Sequence, residues 1–561
     1  MGGVQFPGFI FLFRKFKNNV TLYQDRIIFR RNQILIRDSI RKGEFFMVFS
    51  WLLKSLKTID QQSLPQLKQS EKKIPIQKDI RATISQLKCK LGYSPDLIVR
   101  TFQVQNSPTN QIATIYMQGL VDEDKVNHFI THSLCITPGE LNSSSLIYSK
   151  NCFEDIKTKA LTVGNVQIEN DWNNMLHQLL SGDIIILVNG FTNCIIGNLR
   201  GGERRPVSEP QVETNIRGPK DSFTESIGTN IALIRRKIKN PNLWMESICI
   251  GDISKTDVTI MYVKGIAEEQ LIEKTRKSIR NIKVNFILDS GYVEELIQKQ
   301  AYTPFPTIFN SERPDVIAGN LLEGRIAVFV DGTPNTLILP TTFSQFFKAA
   351  EDYYQKFDFS VFMRVIRYLS FFIVILMPAI YIALTTYHQE MIPTPLVITL
   401  LAQREDTPFP AVVEALLMEF IFEIIREAGI RMPRAIGQAV SIVGAIVIGQ
   451  AAVQAGIVTA MMVIIVSITG IASFALPSYS LSISARLIRF PIMGAAAILG
   501  IYGVIMSIII LVAHMNSLKS FGVPYLSPFA PFHFKQQKDT IWRAPFESEK
   551  SYPIGNDRED D

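Results

Sequence analysis

From Ile436 to Leu476 the chain carries no Asp, Glu, Lys or Arg. A bilayer span needs roughly 20 apolar residues, so this run is long enough for a helix, a turn and a second helix. The chain has 561 residues, of which 47% are hydrophobic and only 19% charged, with a mean hydropathy of +0.16. Because the charges avoid one region, the composition describes two materials: a mixed, water-compatible first half and an apolar second half. The net charge of +7 is the kind of excess that membrane proteins carry in their cytoplasmic parts. A nucleic-acid partner would need a basic stripe with interleaved aromatics. Only the short cluster Arg235, Arg236, Lys237 offers one, so none is expected.

The first half is written twice. "LLSGDIIILVNG" begins at Leu179 and "LLEGRIAVFVDG" at Leu321, an offset of 142. Upstream, Tyr116 and Gly119 of "IYMQG" match Tyr262 and Gly265 of "MYVKG", an offset of 146. Two matched phrases in the same order indicate a duplicated module. Each copy reads as a β-rich run ending at a glycine turn, a helical segment such as "AEEQLIEKTRKSIR", and a short apolar strand closed by Asn-Gly or Asp-Gly, a strong hairpin signal. Two α/β subdomains are therefore expected at 90–200 and 245–360. They are preceded by a lead segment at 47–89 and joined by a connector at 201–244.

Catalytic chemistry is thin. Glu213, Asp221 and Glu225 in the connector have no evident nucleophile beside them. His128 and His132 share a helix face but lack the glutamate and third ligand of a zinc site. Neither a phosphate-binding G-x-x-x-x-G-K-[ST] loop nor a G-x-S-x-G elbow occurs. The five cysteines include no C-x-x-C pair and fit a reduced compartment. No metal, cofactor or enzymatic activity is expected. "RKGEFFM" can be back-translated to a ribosome-binding sequence ahead of Met47, so residues 1–46 are expected to be a non-native, mis-annotated extension.

The second half, 361–515, reads as a membrane domain of four to five helices, with a tail at 516–561. Arg364 and Arg367 precede the apolar run 368–387, which puts the soluble half in the cytoplasm by the positive-inside rule. Residues 395–408 read as re-entrant or interfacial. "ALLMEFIFEIIREAG" (415–429) is an apolar helix bearing Glu419, Glu423, Arg426 and Glu427 on one stripe, with Glu423 able to pair with Arg426 at i+3. A hairpin follows, 435–453 and 457–476, turning near Gly456. Gly437, Ser441, Ala445 and Gly449 form a small-residue ridge that favours close helix packing or, with Gln438 and Gln450, a polar pore wall. A last span, 490–514, contains Ala496-x-x-x-Gly500. Five crossings put the C-terminus outside; an interfacial 411–427 would make it four.

Three long stretches carry a resemblance: "IRGPKDSFTESIGTNIALIRRKI", "TPFPAVVEALLMEFIFEIIREAGIRMPRAIGQAVSIVGAIVIGQAAVQAG" and "LPSYSLSISARLIRFP". With "ERPDVIAGNLLEGRIAVFVDGTP", they make the chain resemble, from 90 to 545, the A subunit of the GerA-type spore germination receptors. Gly202 stands where an aromatic is expected and Asn189 where an Asp is common. The resemblance implies an oligomeric protein of the inner spore membrane. Its partners would be a transporter-like B subunit and a lipoprotein C subunit, and it would release monovalent cations when the partner binds germinant. The ion-pathway candidates are then Glu419, Glu423, Arg426, Glu427, Gln438, Ser441 and Gln450; the helix-packing candidates are Gly437, Ala445, Gly449, Ala496 and Gly500. A non-conducting scaffold of the same complex, or the paralogous stage V sporulation subunit, is the alternative, and the acidic stripe reads equally as an inter-helix salt-bridge network.

Overall fold

The structure, a computed structural model, describes residues 74–103, 111–127, 166–201, 215–298, 302–405, 407–432, 449–532 and 539–545, with single positions at 210, 213 and 537. His128, His132, Gly202 and residues 1–46 lie outside them.

Two five-stranded sheets form the first half. In module 1 the strands are β1 (Leu97–Gln103), β2 (Gln111–Met117), β3 (Val166–Glu169), β4 (Ile184–Val188) and β5 (Cys194–Gly197), in the order β1-β2-β4-β5-β3. In module 2 they are β6 (Leu243–Ile250), β7 (Thr256–Val263), β8 (Phe309–Ser311), β9 (Ile326–Val330) and β10 (Thr336–Leu339), in the order β6-β7-β9-β10-β8. All neighbours are antiparallel.

The duplication extends to hydrogen-bond register. Ile112 faces Val188 in module 1, and Val258 faces Val330 in module 2. These are the same two positions advanced by the offsets of the two repeated phrases. The Asn-Gly and Asp-Gly turns close the expected hairpins, with Gly190 and Gly332 at φ 88° and 87°, a left-handed conformation that costs a glycine nothing.

The helices of the two modules also correspond. Helix α1 (Ile80–Lys90) and α2 (Trp172–Leu180) cover sheet 1, each started by an aspartate cap, Asp79 or Asp171. Between the modules comes α3 (Ile227–Lys237), within the stretch expected to be connector. It occupies in module 2 the place of α1 in module 1. Ile80 N donates to Asn189 Oδ1 (3.5 Å), and Ile227 N to Asp331 Oδ1 (3.1 Å). Asn189, the departure noted above, thus holds a helix start as the aspartate does. Module 2 also holds α4 (Glu269–Arg280) and α5 (Ser290–Ile297), and α6 (Pro314–Leu322) repeats α2 at the same offset of 142.

A buried ion pair rivets the modules. Arg235 of α3, 1% exposed, reaches Asp96 (Nε–Oδ2 2.9 Å), Ser94 Oγ (2.8 Å) and Leu243 O (2.7 Å). Its neighbours are also used internally: Arg236 donates to Gly201 O (2.9 Å) and Lys237 pairs with Asp221 (2.8 Å). The basic cluster is therefore a set of internal contacts.

Module 2 stands on a helical bundle, and its apolar core continues into it, from Phe329, Phe346 and Phe347 to Phe371, Val374 and Ile382. A short α7 (Glu351–Tyr354) leads into α8 (Phe357–Thr386), followed by α9 (Thr394–Glu405), α10 (Ala411–Arg431), α11 (Ala460–Phe474) and α12 (Tyr479–Ser517). Two of these, α8 and α12, are long and apolar enough to cross a membrane. Helix α9 buries only Leu400.

Contacts fix the helix directions. Arg364 and Arg367 at the base of α8 share the buried Asp352 of α7 (3.0 and 2.7 Å). At the far end, Tyr381 meets Thr459, the cap of α11, and Glu414 of α10 accepts from Thr459 Oγ1 (2.5 Å). At the other end of α10, Arg426 reaches Ser473 of α11 (3.0 Å). Helices α10 and α11 therefore both run back toward the soluble modules, the chain having reversed at Gly456 as expected.

The last span differs from expectation. Gly500 has φ 59° and ψ −139°, which breaks α12. A Cβ on Gly503 would lie 2.1 Å from Ala495 O, a proximity possible only if the helix doubles back. The first half of α12 runs away from the modules, to where Tyr387 hydroxyl donates to Ala497 O (2.8 Å). The second half returns and ends with His514 against Thr303 of module 2 (2.9 Å). Gly500 is thus a reversal point seated on His388, not part of a continuous Ala-x-x-x-Gly ridge, and the tail lies on the side of the modules. Counting five crossings read this stretch as one straight helix; the reversal at Gly500 makes it two antiparallel halves.

Two outcomes follow. Asp96→Ala strands the Arg235 guanidinium in a dry interface and is expected to cost about 3–5 kcal/mol, seen as a lower thermal midpoint of the full-length protein in detergent. The second concerns Glu213. Burial pushes its carboxyl up to about 7, against a hydrogen bond from Ser311 Oγ (2.7 Å) and with help from the nearby Glu312. The folded state thus binds this proton more tightly than the unfolded chain, whose value is 4.5. The associated stability is complete below 4.5 and lost as pH rises through 7. Glu213→Gln should flatten that slope in a thermal-midpoint series against pH.

Candidate functional site

The charged stripe of α10 faces α12 within the same chain. Glu419 and Glu423, one helical turn apart, meet Arg486 and Arg489, which α12 presents at i, i+3. Glu419 (0% exposed) lies 2.7 Å from Arg489 Nη2 (1% exposed). Glu423 takes Arg486 Nη1 at 2.6 Å and Arg489 Nη2 at 3.3 Å. The Glu419 contact is a close charge pair without hydrogen-bond alignment, since neither carboxylate oxygen has an aligned donor. The expected Glu423–Arg426 pair does not form. The i+3 rule considers one helix alone, whereas here the arginines of α12 claim the carboxylate. Arg426 instead donates to Ser473 Oγ and lies over the Phe474 ring, 4.6 Å from its centroid. Glu427 leaves the seam altogether: its carboxylate is 61% exposed and pairs with Arg431 (2.7 Å) one turn on, an arrangement worth a few tenths of a kcal/mol.

Charges of this kind are costly in an apolar bundle and persist when paired or facing water. Two carboxylates balance the two guanidiniums of α12, with the Arg426 guanidinium held beside them by Ser473. Glu414 points elsewhere, as its place on the helical wheel implies. Fully buried, it accepts from the Thr459 backbone N and hydroxyl at the start of α11, where the helix dipole favours a carboxylate.

The other candidates divide. Gly437, Gln438, Ser441 and Ala445 lie outside the described residues. Gly449 is buried, and a Cβ there would sit 3.4 Å from Val463 of α11. Ala496 is fully buried. Gln450 is exposed, and so is Gln454 one turn later, a second carboxamide on the same outward face that sequence reading passed over although its i+4 spacing was visible. Arg486 and Arg489 were also missed as partners; R-x-x-R opposite E-x-x-x-E is the signal that would have found them.

In the soluble half, an open groove of about 700 Å³ lies between the modules, lined by Cys89, Lys90, Trp172, Trp244 and Lys264 among others. Lys264 Nζ sits 3.7 Å from the centroid of the Trp244 ring. Among the described residues that line it there is no carboxylate or imidazole. Among the described residues no group of three His, Cys, Asp or Glu side chains could hold a metal ion.

The sequence has known relatives. Residues 85–554 match the family described as Bacillus/Clostridium GerA spore germination protein. Spore germination protein KA of Bacillus subtilis (strain 168) is 46% identical, with 88% of this chain and 89% of that protein covered. The uncharacterized membrane protein YfkQ of the same organism is 42% identical (84% and 90% covered), and GerLA of Bacillus cereus 35% (86% and 96%). The solved N-terminal domain of the A subunit of the Bacillus megaterium spore germinant receptor GerK3 is 40% identical, covering 48% of this chain and 98% of that one, with a TM-score of 0.39. The match over most of its length and the identity to these relatives show that the chain belongs to the GerA family of spore germination proteins.

Proposed function

We propose that the chain is the A subunit of a nutrient-responsive germinant receptor in the inner spore membrane, with its soluble half in the cytoplasm. It works with a transporter-like B subunit and a lipoprotein C subunit. Copies of it assemble around a path for monovalent cations that opens when the partner binds germinant. One observation carries the conducting part of this reading. Gln450 and Gln454 project outward from a segment otherwise built of small apolar residues. Carboxamides on a lipid-facing surface would leave polar groups unsatisfied, so this face calls for water or a neighbouring subunit. Binding of germinant elsewhere can open the path only by favouring one state over the other.

A second reading, a scaffold that transmits partner state without conducting, is favoured by the internal pairing of Glu419 and Glu423 with Arg486 and Arg489. Flux separates the two. In liposomes holding the complete complex, germinant should trigger potassium efflux, and Gln450→Leu with Gln454→Leu should lower it on the order of tenfold with assembly intact. No efflux from a well-folded complex would leave the scaffold reading standing. The seam has its own test. Glu419→Leu alone leaves Arg489 only Glu423, which it shares with Arg486, and should lower the thermal midpoint of the complex, whereas Glu419→Leu with Arg489→Leu should recover both stability and efflux. Recovered stability with abolished efflux would place Glu419 in the ion path.

A further inference from the structure

The chain beyond α12 is woven into the soluble module and the base of the bundle. Strands β11 (Lys519–Ser520) and β12 (Val523–Pro524) form a small hairpin lodged against module 2. Ser520 Oγ donates to Thr307 O (2.7 Å) and accepts from Thr341 N (3.0 Å). Phe343 N donates to Tyr525 O (2.7 Å), and the Tyr525 ring is fully buried among Phe305, Phe343 and Phe346. Farther on, the Asp539 carboxylate takes Arg364 Nη1 from α8 (2.9 Å), and Lys348 Nζ (2.5 Å) and Tyr353 hydroxyl (2.8 Å) from the module-side junction. Arg543 donates to the Asp352 and Gln355 carbonyls, the latter at 2.8 Å, and faces the Tyr353 ring from 5.5 Å.

We propose that this C-terminal segment, residues 518–532 with 539–545, is a transmission strap. It joins module 2, the base of the first long helix and the end of the last into one body. The bonds are of two kinds with one consequence. An apolar plug, Tyr525, fixes the return from α12 into module 2, and an ionic clasp, Asp539, fixes module 2 to α8. Burial would raise the Asp539 carboxyl, but Lys348 and Arg364 outweigh it and hold the group at about 2, so the clasp stays charged across the physiological range. Lifting the strap would expose the Tyr525 plug and remove one of the two carboxylates that Arg364 contacts. A displacement of module 2 therefore carries α8 and the second half of α12 with it. Helices α10 and α11, tied to each other and to the first half of α12, receive that displacement through helix packing and the single Tyr381–Thr459 hydroxyl contact at the far end of the bundle.

The test is hydrogen–deuterium exchange, resolved by peptide, on the full-length chain in nanodiscs. The isosteric Asp539→Asn removes the clasp charge, and Ser520→Ala removes the plug's anchoring hydroxyl. If the strap joins these parts, each variant raises exchange in 518–532 and in 351–367 together, on the order of tenfold, while peptides from 411–431 stay at the wild-type rate. Glu427→Ala, which opens an exposed pair on α10, serves as a control that leaves both strap segments unchanged. Faster exchange in the tail alone, or in neither segment, would overturn the proposal.

Discussion

Charge buried in an apolar bundle has to be answered inside it, and that requirement shapes the second half of this protein. Arg489 and Glu419 are 1% and 0% exposed, and removing water from either ion alone costs several kcal/mol. Their pairing obliges α10 to lie beside the first half of α12 at one register. Asp352 imposes the same discipline at the base: its buried carboxylate answers Arg367 and, with Asp539, Arg364, and so sets α8 upright on module 2. With these contacts made, the helix directions, the reversal at Gly500 and the return of the tail to the soluble side follow with little freedom.

The soluble half obeys a different rule. A sheet strand slipped by one residue would turn its whole apolar face outward, so a duplicated strand pair keeps its register or loses its core. Both copies keep it: Ile112 opposite Val188, Val258 opposite Val330. Between them the copies diverge where they touch. The first contributes Asp96 and Ser94, the second Arg235, and the resulting contact ties two similar modules into an asymmetric pair. The groove between them is lined by two indoles and two lysines.

What the sequence made legible was whatever depended on neighbours a few residues away. The repeated phrases, the Asn-Gly and Asp-Gly hairpins, the turn at Gly456 and the single stripe of Glu419, Glu423 and Arg426 are all local patterns. Pairing across helices was not legible. Glu423 has a plausible partner at Arg426, and only the packing of α12 shows that Arg486 and Arg489 take it. Gly500 looked like a packing glycine because Ala-x-x-x-Gly is a pattern of straight helices; its positive φ is a property of the fold. That one residue turns a single straight helix into a helical hairpin, and so brings the tail back to module 2.

The helix directions are best tested by peptide-resolved labelling with a membrane-impermeant maleimide on sealed vesicles of one orientation. Native Cys89 and Cys249, both exposed, mark the face that carries the soluble modules. Cysteines introduced at Glu390, in the loop after α8, and at Phe532, 67% exposed in the tail, report the other two positions. The structure predicts that Phe532→Cys labels together with Cys89 and Cys249, and that Glu390→Cys labels only from the opposite face. Labelling of Phe532→Cys together with Glu390→Cys would contradict the hairpin at Gly500 and the bundle built around it.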